Sequence, residues 1–183
     1  MERFIAFLLL ILLVPVLIIL VILLAFTLRE SIVFSQIRLG KEKKEFVIYK
    51  FKTMKNGQIT LVGKVLRKLG LDEIPQLVNI IKNEMSFVGP RPLTEADIIR
   101  LDWKLNKYKE RWSVKPGITC LDQLSSICNA EHSMERDLFY VINKNLALDN
   151  DIISLSIWMR SRGFRNKCLV PAIFESIRKS LNF

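Results

Sequence analysis

Two adjacent carboxylates, Asp72 and Glu73, are the side chains whose type and surroundings best suit chemistry. They follow Arg67 and Lys68 and open a segment in which apolar residues recur at helical spacing. Neighbouring side chains on a helix point about 100° apart, so one carboxylate can face a substrate while the other holds a metal. Among cations, such a pair suits binding of a divalent cation or attack on phosphorus. A structural role, complementing a helix N-terminus, remains the alternative.

A stiff cationic loop follows, formed by Pro90, Arg91 and Pro92. Two prolines around an arginine exclude a regular helix or a central strand. They also lower the entropy cost of presenting the guanidinium, whose planar fork matches pairs of phosphate oxygens. An ordinary turn with a solvated arginine is the alternative. Lys50 and Lys52 form a second cationic stretch at the end of a predicted strand, where solvation is the simpler interpretation.

The residues that most often carry other chemistries are scarce in this chain. His132 is the only histidine, so acid–base chemistry here would rely on carboxylates. The three cysteines, Cys120, Cys128 and Cys168, lack C-x-x-C spacing. We therefore expect neither a disulfide framework nor a zinc site, and we expect reducing, cytosolic surroundings.

Local patterning predicts the elements that position these residues. Residues 31–36 and 45–50 carry β-branched and aromatic side chains around a basic turn with Gly40, which indicates a hairpin. Thr94 with Asp97 resembles a capping box and predicts a helix to about Trp112. Pro171 begins a short C-terminal helix with one apolar and one basic face, typical of an interfacial helix. Helical spacing of apolar residues predicts four further helices, at 61–69, 73–83, 134–144 and 149–158.

Residues 4–28 form an apolar run without a charged side chain. As a helix it would be roughly 36 Å long, against a bilayer core of roughly 30 Å, so we expect membrane insertion. It is longer than a signal-peptide core and lacks a small-x-small cleavage site. Pro15 breaks or kinks the helix near its middle. A kinked span and a turn-back with both ends on one face are both compatible, and the residues alone favour the span.

Composition narrows the class of protein. The chain has 183 residues, half of them hydrophobic, and a formal net charge of +10. The hydrophobic content excludes a disordered chain. The length suits one domain with an appendage. Attraction to an anionic leaflet explains the basic charge, and the heavier basic load after the apolar run places the rest of the chain in the cytoplasm. No recognition-helix or RNP-like pattern supports binding to nucleic acid. One apolar segment is too few for a multi-span transporter.

Together, the order and spacing of these motifs resemble one family, the bacterial monotopic phosphoglycosyl transferases. These are small enzymes that transfer a phospho-sugar from a nucleotide sugar to polyprenyl phosphate. The similarity runs from about Pro15 to Asp149. The matching segments are, in chain order, Phe34-x-Gln36-x-Arg38-x-Gly40, Tyr49-Lys50-Phe51-Lys52-Thr53-Met54, Leu66-Arg67-Lys68, Leu71-Asp72-Glu73-Ile74-Pro75-Gln76-Leu77-x-Asn79, Met85-Ser86-x-Val88-Gly89-Pro90-Arg91-Pro92, Lys115-Pro116-Gly117-Ile118-Thr119 and Gln123.

The resemblance implies roles for particular residues. Asp72 would be the nucleophile that attacks the β-phosphorus of a UDP-sugar and expels UMP, and polyprenyl phosphate would then attack the aspartyl phospho-sugar in a ping-pong course. Glu73 would join Asp72 in binding Mg²⁺. Arg67 would hold a phosphate, and Arg91 would lie on the nucleotide side. The remaining implied substrate-binding residues are Pro90, Pro92, Lys50, Lys52, Gln123 and, from a less specific Asp-x-x-Tyr pattern with Tyr140, Asp137.

The resemblance also implies an α+β fold and a location. Residues 1–30 would form a re-entrant membrane helix broken at Pro15, which reverses the preference for a span. Residues 31–183 would form a cytoplasmic catalytic domain with a short β-hairpin and several amphipathic helices at the membrane interface. The enzyme would lie on the cytoplasmic face of the bacterial inner membrane, with membrane lipid as a further partner.

Two departures from the family pattern and one competing class accompany this interpretation. Val14 stands where the family usually has serine before the proline, so a hydroxyl that could reinforce the bend is absent. Cys120-Leu121-Asp122 replaces a common Gly-Trp pair before the glutamine, which leaves sugar preference open. The competing hypothesis is a non-catalytic, membrane-tethered basic protein that binds anionic lipid or a partner. It gives no reason for two prolines around Arg91 or for adjacent acids in a basic field.

Overall fold

The computed structural model describes residues 1–103, 106–124 and 129–161. Helices and short strands are mixed along these residues, which confirms a fold containing both. Short 3-10 helices at Lys41–Lys43, Leu71–Gln76, Asn106–Ser113 and Leu121–Leu124 connect them. The elements are, in order, α1 (Glu2–Leu12), α2 (Val14–Leu28), β1 (Val33–Leu39), β2 (Glu45–Phe51), β3 (Met54–Lys55), β4 (Gln58–Ile59), α3 (Leu61–Leu69), α4 (Leu77–Ile81), β5 (Ser86–Val88), α5 (Glu95–Arg100), β6 (Gly117–Thr119), α6 (Ala130–Asn143) and α7 (Leu146–Ser161).

The N-terminal apolar run folds as two helices rather than one. Pro15 lies in the first turn of α2, where its missing N–H costs nothing but its ring cannot continue α1. Among the described residues, no single helix is both long and apolar enough to cross a bilayer. The pair α1 and α2 together has the length and composition, and the two helices are bent by 62°.

Both halves of this bent pair pack against the rest of the chain. In α1, Ala6 is fully buried in a cluster with Ile80 and Met85, and the Nε of Arg3 donates to the Ile81 carbonyl oxygen at 2.9 Å. In α2, one face is buried against Phe51 and Leu66. The opposite faces expose large apolar side chains, among them Phe4, Phe7, Leu8, Ile18, Ile19, Ile22 and Phe26. The two ends of the apolar run therefore contact the same domain.

The predicted hairpin is confirmed, although its first strand lies at Val33–Leu39 rather than at 31–36. The strands β1 and β2 are antiparallel, and Arg38 is paired with Phe46. Side chains alternate between the faces of a strand, so Phe46, Ile48 and Lys50 share one face with Arg38. This face is turned inward, because Phe46 and Ile48 are buried. Arg38 and Lys50 lie toward its opposite ends, roughly 13 Å apart along the strand direction.

The helix predictions were confirmed in part. The helix at Leu61–Leu69 and the capping box of Thr94 and Asp97 are as predicted. The segment predicted as one helix at 73–83 begins instead as a 3-10 helix, because Pro75 inside it lacks an N–H, and α4 follows. The helix predicted to reach Trp112 ends at Arg100, and Asp102 follows at a positive φ of 54°.

Two further helix predictions have the right place and different bounds. The helix predicted at 134–144 begins earlier, at Ala130, because the side chain of Asn129 caps it by accepting from the Glu131 N–H. The helix predicted at 149–158 begins at Leu146 and continues to Ser161. The amphipathic helix predicted from Pro171 lies outside the described residues.

Packing of α2 on the domain predicts a difference between two neighbouring leucines. Leu24 is fully buried, whereas Leu23, about 100° around the helix, is 46% exposed. We expect Leu24→Ala to lower the free energy of unfolding by about 2–5 kcal/mol, because a cavity is left in the core. Leu23→Ala is the matched control and should cost less than half as much. Denaturant unfolding of the purified protein in detergent measures both, and equal losses would contradict the packing of α2.

Candidate active site

Glu73 is held between two cations that come from distant parts of the chain. The Nζ of Lys50, at the end of β2, donates to one carboxylate oxygen at 3.1 Å, and Nη2 of Arg160, in the last turn of α7, donates to the other at 2.9 Å. Burial alone would raise the pKa of Glu73, but Lys50 and Arg160 outweigh it and hold the pKa below its usual value. The carboxylate is therefore ionised at neutral pH, with both of its oxygens bonded.

Gly70 makes room for this arrangement. It ends α3 in the left-handed conformation, at a φ of 74°, which glycine adopts without strain. A Cβ at this position would overlap the guanidinium of Arg160, which passes directly over the glycine. The chain can then begin the 3-10 helix that carries Asp72 and Glu73 underneath Arg160.

Asp72 lies half-buried beside Glu73 on the same 3-10 helix. With three residues per turn, the two side chains leave the helix in directions about 120° apart. Arg67 approaches from α3, and its Nε donates to the Thr53 hydroxyl at 2.8 Å. Gly63 allows this contact, because a Cβ there would overlap the Thr53 carbonyl. The neighbouring α3 is thus packed directly on the backbone that follows β2.

A buried amide, Asn79, ties the acid-bearing segment to the hairpin. Its Oδ1 accepts from the Tyr49 N–H at 3.3 Å, and its Nδ2 donates to the Val47 carbonyl at 2.7 Å. These two backbone groups point away from β1, so the side-chain amide pairs with the outer edge of β2 as a peptide group would. Nδ2 also donates to Glu84 at 2.7 Å. Asn79 is fully buried, and it sets the position of the 3-10 helix relative to Lys50.

The Pro-Arg-Pro loop follows β5 and presents an exposed Arg91. The Pro90 carbonyl accepts from the Gly117 N–H at 3.0 Å. The Arg91 carbonyl accepts from Nη2 of Arg111 at 2.6 Å, and the Pro92 carbonyl accepts from Nη1 of Arg38 at 3.1 Å. All three carbonyls of the loop are therefore engaged, each by a different element.

Arg111 and Asp137 form a buried ion pair behind this loop. Nε of Arg111 donates to the Asp137 carboxylate at 2.7 Å, and the two side chains are only 2% and 3% exposed. The Arg111 guanidinium also lies over the rings of Trp103 and Trp112, at 5.5 and 4.8 Å from their centroids. Burial raises the pKa of Asp137 to about 6, while Arg111 acts in the opposite direction. Asp137 is thus directed at Arg111 rather than toward solvent.

The other predicted residues have neighbours of their own. Lys52 pairs with Glu30 at 2.7 Å. Gln123 lies half-buried in the 3-10 helix Leu121–Leu124. The Tyr140 hydroxyl is 3.0 Å from the Val88 carbonyl and 2.8 Å from Asp149. Of the predicted cations, the structure thus brings Lys50 to Glu73, and the Pro-Arg-Pro loop is joined to Arg38 and Arg111.

Sequence reasoning gave no site role to Arg160, Arg111, Arg38 or Asn79. Arg38 and Asn79 lie in segments that match the family, which was the one available signal. Arg160 has no such signal, because its partner Glu73 is 87 residues away along the chain.

The acid pair offers carboxylate oxygens, which are ligands of the kind that Mg²⁺ takes. The described residues contain no group of three or more His, Cys, Asp or Glu side chains suited to a metal. Mg²⁺ is commonly held by one or two carboxylates together with substrate phosphates and water, so Asp72 and Glu73 fit such a shared site. Since Lys50 and Arg160 bond both oxygens of Glu73, a metal ion would share or replace one of these contacts.

The Asn79 amide gives a test of how the site is held together. We expect Asn79→Ala to lower the free energy of unfolding by about 2 kcal/mol or more, because buried groups on β2 and Glu84 lose their partners. Asn150→Ala, at an exposed position of α7, is the matched control and should stay within about 0.5 kcal/mol. Denaturant unfolding measures both variants. Similar values for the two would show that the amide does not hold the hairpin to the 3-10 helix.

Comparison with known proteins gives a consistent result. Residues 1–163 match the model of a family described as bacterial sugar transferases. An uncharacterized sugar transferase EpsL of Bacillus subtilis is 36% identical over 140 residues, which is 69% of this chain and 68% of that protein. A UDP-N-acetylgalactosamine-undecaprenyl-phosphate N-acetylgalactosaminephosphotransferase of Aeromonas hydrophila is 34% identical over 73% of this chain. A UDP-glucose:undecaprenyl-phosphate glucose-1-phosphate transferase of Klebsiella pneumoniae is 33% identical over 77% of this chain. The aligned regions span only 36% and 34% of these last two proteins.

Proposed function

This chain belongs to the bacterial sugar transferase family, and we propose that it transfers a phospho-sugar from a UDP-sugar to polyprenyl (undecaprenyl) phosphate. The reaction releases UMP and is the first membrane step in the assembly of a glycoconjugate. The names of the relatives from Aeromonas hydrophila and Klebsiella pneumoniae support the general reaction. The observation that carries the proposal is an ionised Glu73, fixed by Lys50 and Arg160, directly beside Asp72.

The proposed reaction proceeds in two displacements at one phosphorus. A carboxylate oxygen of Asp72 attacks the β-phosphorus of the UDP-sugar, and the bond to the α-phosphate oxygen breaks, so that UMP leaves with the electron pair. An aspartyl phospho-sugar remains on the enzyme. An oxygen of polyprenyl phosphate then attacks the same phosphorus and releases the Asp72 carboxylate. A carboxylate nucleophile in this way divides one difficult transfer into two easier ones.

The cations around the acid pair have a defined task in this scheme. A diphosphate brings several negative charges beside two carboxylates, and this repulsion has to be offset. Lys50 and Arg160 already neutralise Glu73. Arg67, five residues before Asp72 in the chain, adds a further positive charge. Asp72 and Glu73 would hold Mg²⁺, which when bound offsets the charge of the phosphates. Arg91 offers a guanidinium fork to the nucleotide side.

We infer that the N-terminal pair is a re-entrant membrane element on the cytoplasmic face of the bacterial inner membrane. A helix that spans the bilayer separates its ends by roughly 30 Å. Here Arg3 at one end and Leu28 at the other both contact the same domain. The outward faces of α1 and α2 are apolar and suit lipid. This position would bring the acid pair to the lipid surface, where the phosphate of a polyprenyl carrier lies.

Covalent capture tests the role of Asp72. The purified protein is incubated with UDP-glucose, UDP-galactose or UDP-N-acetylgalactosamine, without polyprenyl phosphate, and the intact mass is measured. We expect one phospho-sugar on the wild type, none on Asp72→Asn, and the wild-type result for Asp151→Asn, an exposed aspartate on α7. Turnover by Asp72→Asn with acceptor should fall roughly a thousandfold or more.

An adduct that persists on Asp72→Asn would assign the nucleophile to another residue. If no UDP-sugar left an adduct and none was turned over, the non-catalytic basic tether would be favoured instead. Excess chelator is a further arm of the same assay. Full turnover in its presence would remove Mg²⁺ from the proposal.

Cysteine labelling tests the re-entrant topology. Glu2→Cys and Lys44→Cys are made separately in a cysteine-free background and treated in spheroplasts with an impermeant maleimide. Position 44 reports the side on which the domain lies, since its side chain is exposed at the hairpin turn. We expect both positions to be labelled only after permeabilisation, because both lie on the cytoplasmic side. Labelling of position 2 in sealed spheroplasts, with position 44 protected, would demonstrate a full span.

A further inference from the structure

The Pro-Arg-Pro loop has only one backbone N–H donor in its three residues. Pro90 and Pro92 have no backbone N–H, so the loop can be fixed mainly through its carbonyls. Each carbonyl has its own donor, namely the Gly117 N–H for Pro90, Arg111 for Arg91 and Arg38 for Pro92. The bond to Arg111 is the shortest of the three, and it reaches the residue whose side chain is exposed.

Arg111 is built into the core behind the loop rather than into the site. Its side chain is 2% exposed, with one nitrogen on Asp137, another on the Arg91 carbonyl and aromatic rings on its faces. Burial of a guanidinium is costly unless its donors are satisfied and its charge is paired. Here the ion pair with Asp137 and the rings of Trp103 and Trp112 stabilise the charge. These contacts hold the Arg111 guanidinium in one orientation.

We propose that Arg111 is a positioning residue for Arg91. It fixes the backbone of Arg91 through the carbonyl. The exposed guanidinium of Arg91 then samples fewer conformations before it contacts the substrate phosphates. Asp137 orients Arg111 and contributes to the same function. The inference rests on the proposed function, in which Arg91 contacts the substrate. It assigns Asp137 a role behind the site and none in direct contact with substrate.

A double-mutant cycle with Arg91 separates positioning from general stabilisation. Arg111→Lys retains a charge for Asp137 but loses the planar fork whose separate nitrogens reach Asp137 and the Arg91 carbonyl. The matched control is Arg136→Lys. Arg136 is also buried, neighbours Asp137 on α6, and forms its own ion pair with Asp122 at 2.7 Å. Both substitutions weaken the ion pair of a buried arginine, although Asp122 is more exposed than Asp137. Arg111→Lys in addition removes the bond from Arg111 to the Arg91 carbonyl.

The measurement is kcat/KM with whichever of UDP-glucose, UDP-galactose and UDP-N-acetylgalactosamine the wild type turns over fastest. We expect Arg91→Lys and Arg111→Lys each to lower it roughly ten- to a hundredfold. The kcat/KM of the double variant should equal that of the less active single variant within about twofold. Arg91→Lys and Arg111→Lys should change the same kinetic parameter, either KM in both or kcat in both. Any effect of Arg136→Lys should multiply with that of Arg91→Lys.

Several outcomes would overturn the positioning role. Multiplicative losses for Arg111→Lys with Arg91→Lys would show that Arg111 acts independently of Arg91, as would a change in the other kinetic parameter. Wild-type activity of Arg91→Lys would leave nothing to position. If Arg111→Lys does not fold, Asp137→Asn takes its place in the same cycle. An inactive wild type would instead remove the proposed function and this inference with it, whereas an active wild type with multiplicative losses removes the inference alone.

Discussion

The shared carboxylate of Glu73 is the contact on which the site depends. One oxygen binds Lys50 at the end of the hairpin and the other binds Arg160 at the end of the last described helix. Three segments that are far apart in the chain are thereby held at one point. Because the Glu73 side chain is only 15% exposed, loss of either cation would leave a poorly solvated charge behind. The neighbouring Asp72 takes its position from this framework.

The bend at Pro15 couples this framework to the apolar surface of the molecule. A straight helix of the same length would carry one end of the segment away from the domain. The bend instead lets α1 pack near α4 and α2 pack on Phe51 and Leu66. Each of the two helices thus has one face buried against the rest of the chain, which stabilises the fold, and an opposite apolar face that points outward. The backbone break itself follows from the ring of one proline.

Local features were predictable from the sequence, and long-range contacts were not. The hairpin, α3 and the capping box of Thr94 depend on neighbouring residues, and they were confirmed. The single helix predicted at 73–83 was wrong because Pro75 favours a 3-10 start, although that proline is visible in the sequence. The motif match named Asp72 and its surroundings, but no pattern indicates that Arg160 reaches Glu73. Burial of Asp137 against Arg111 could likewise be known only from the fold.

Isotope exchange tests the covalent course most directly. The protein is incubated with a UDP-sugar that it uses and with labelled UMP, in the absence of polyprenyl phosphate. If Asp72 carries the phospho-sugar, UMP can attack the intermediate and re-form the donor, so label enters the UDP-sugar with the wild type and not with Asp72→Asn. Turnover when polyprenyl phosphate is present, without any exchange when it is absent, would contradict a covalent intermediate and indicate direct displacement.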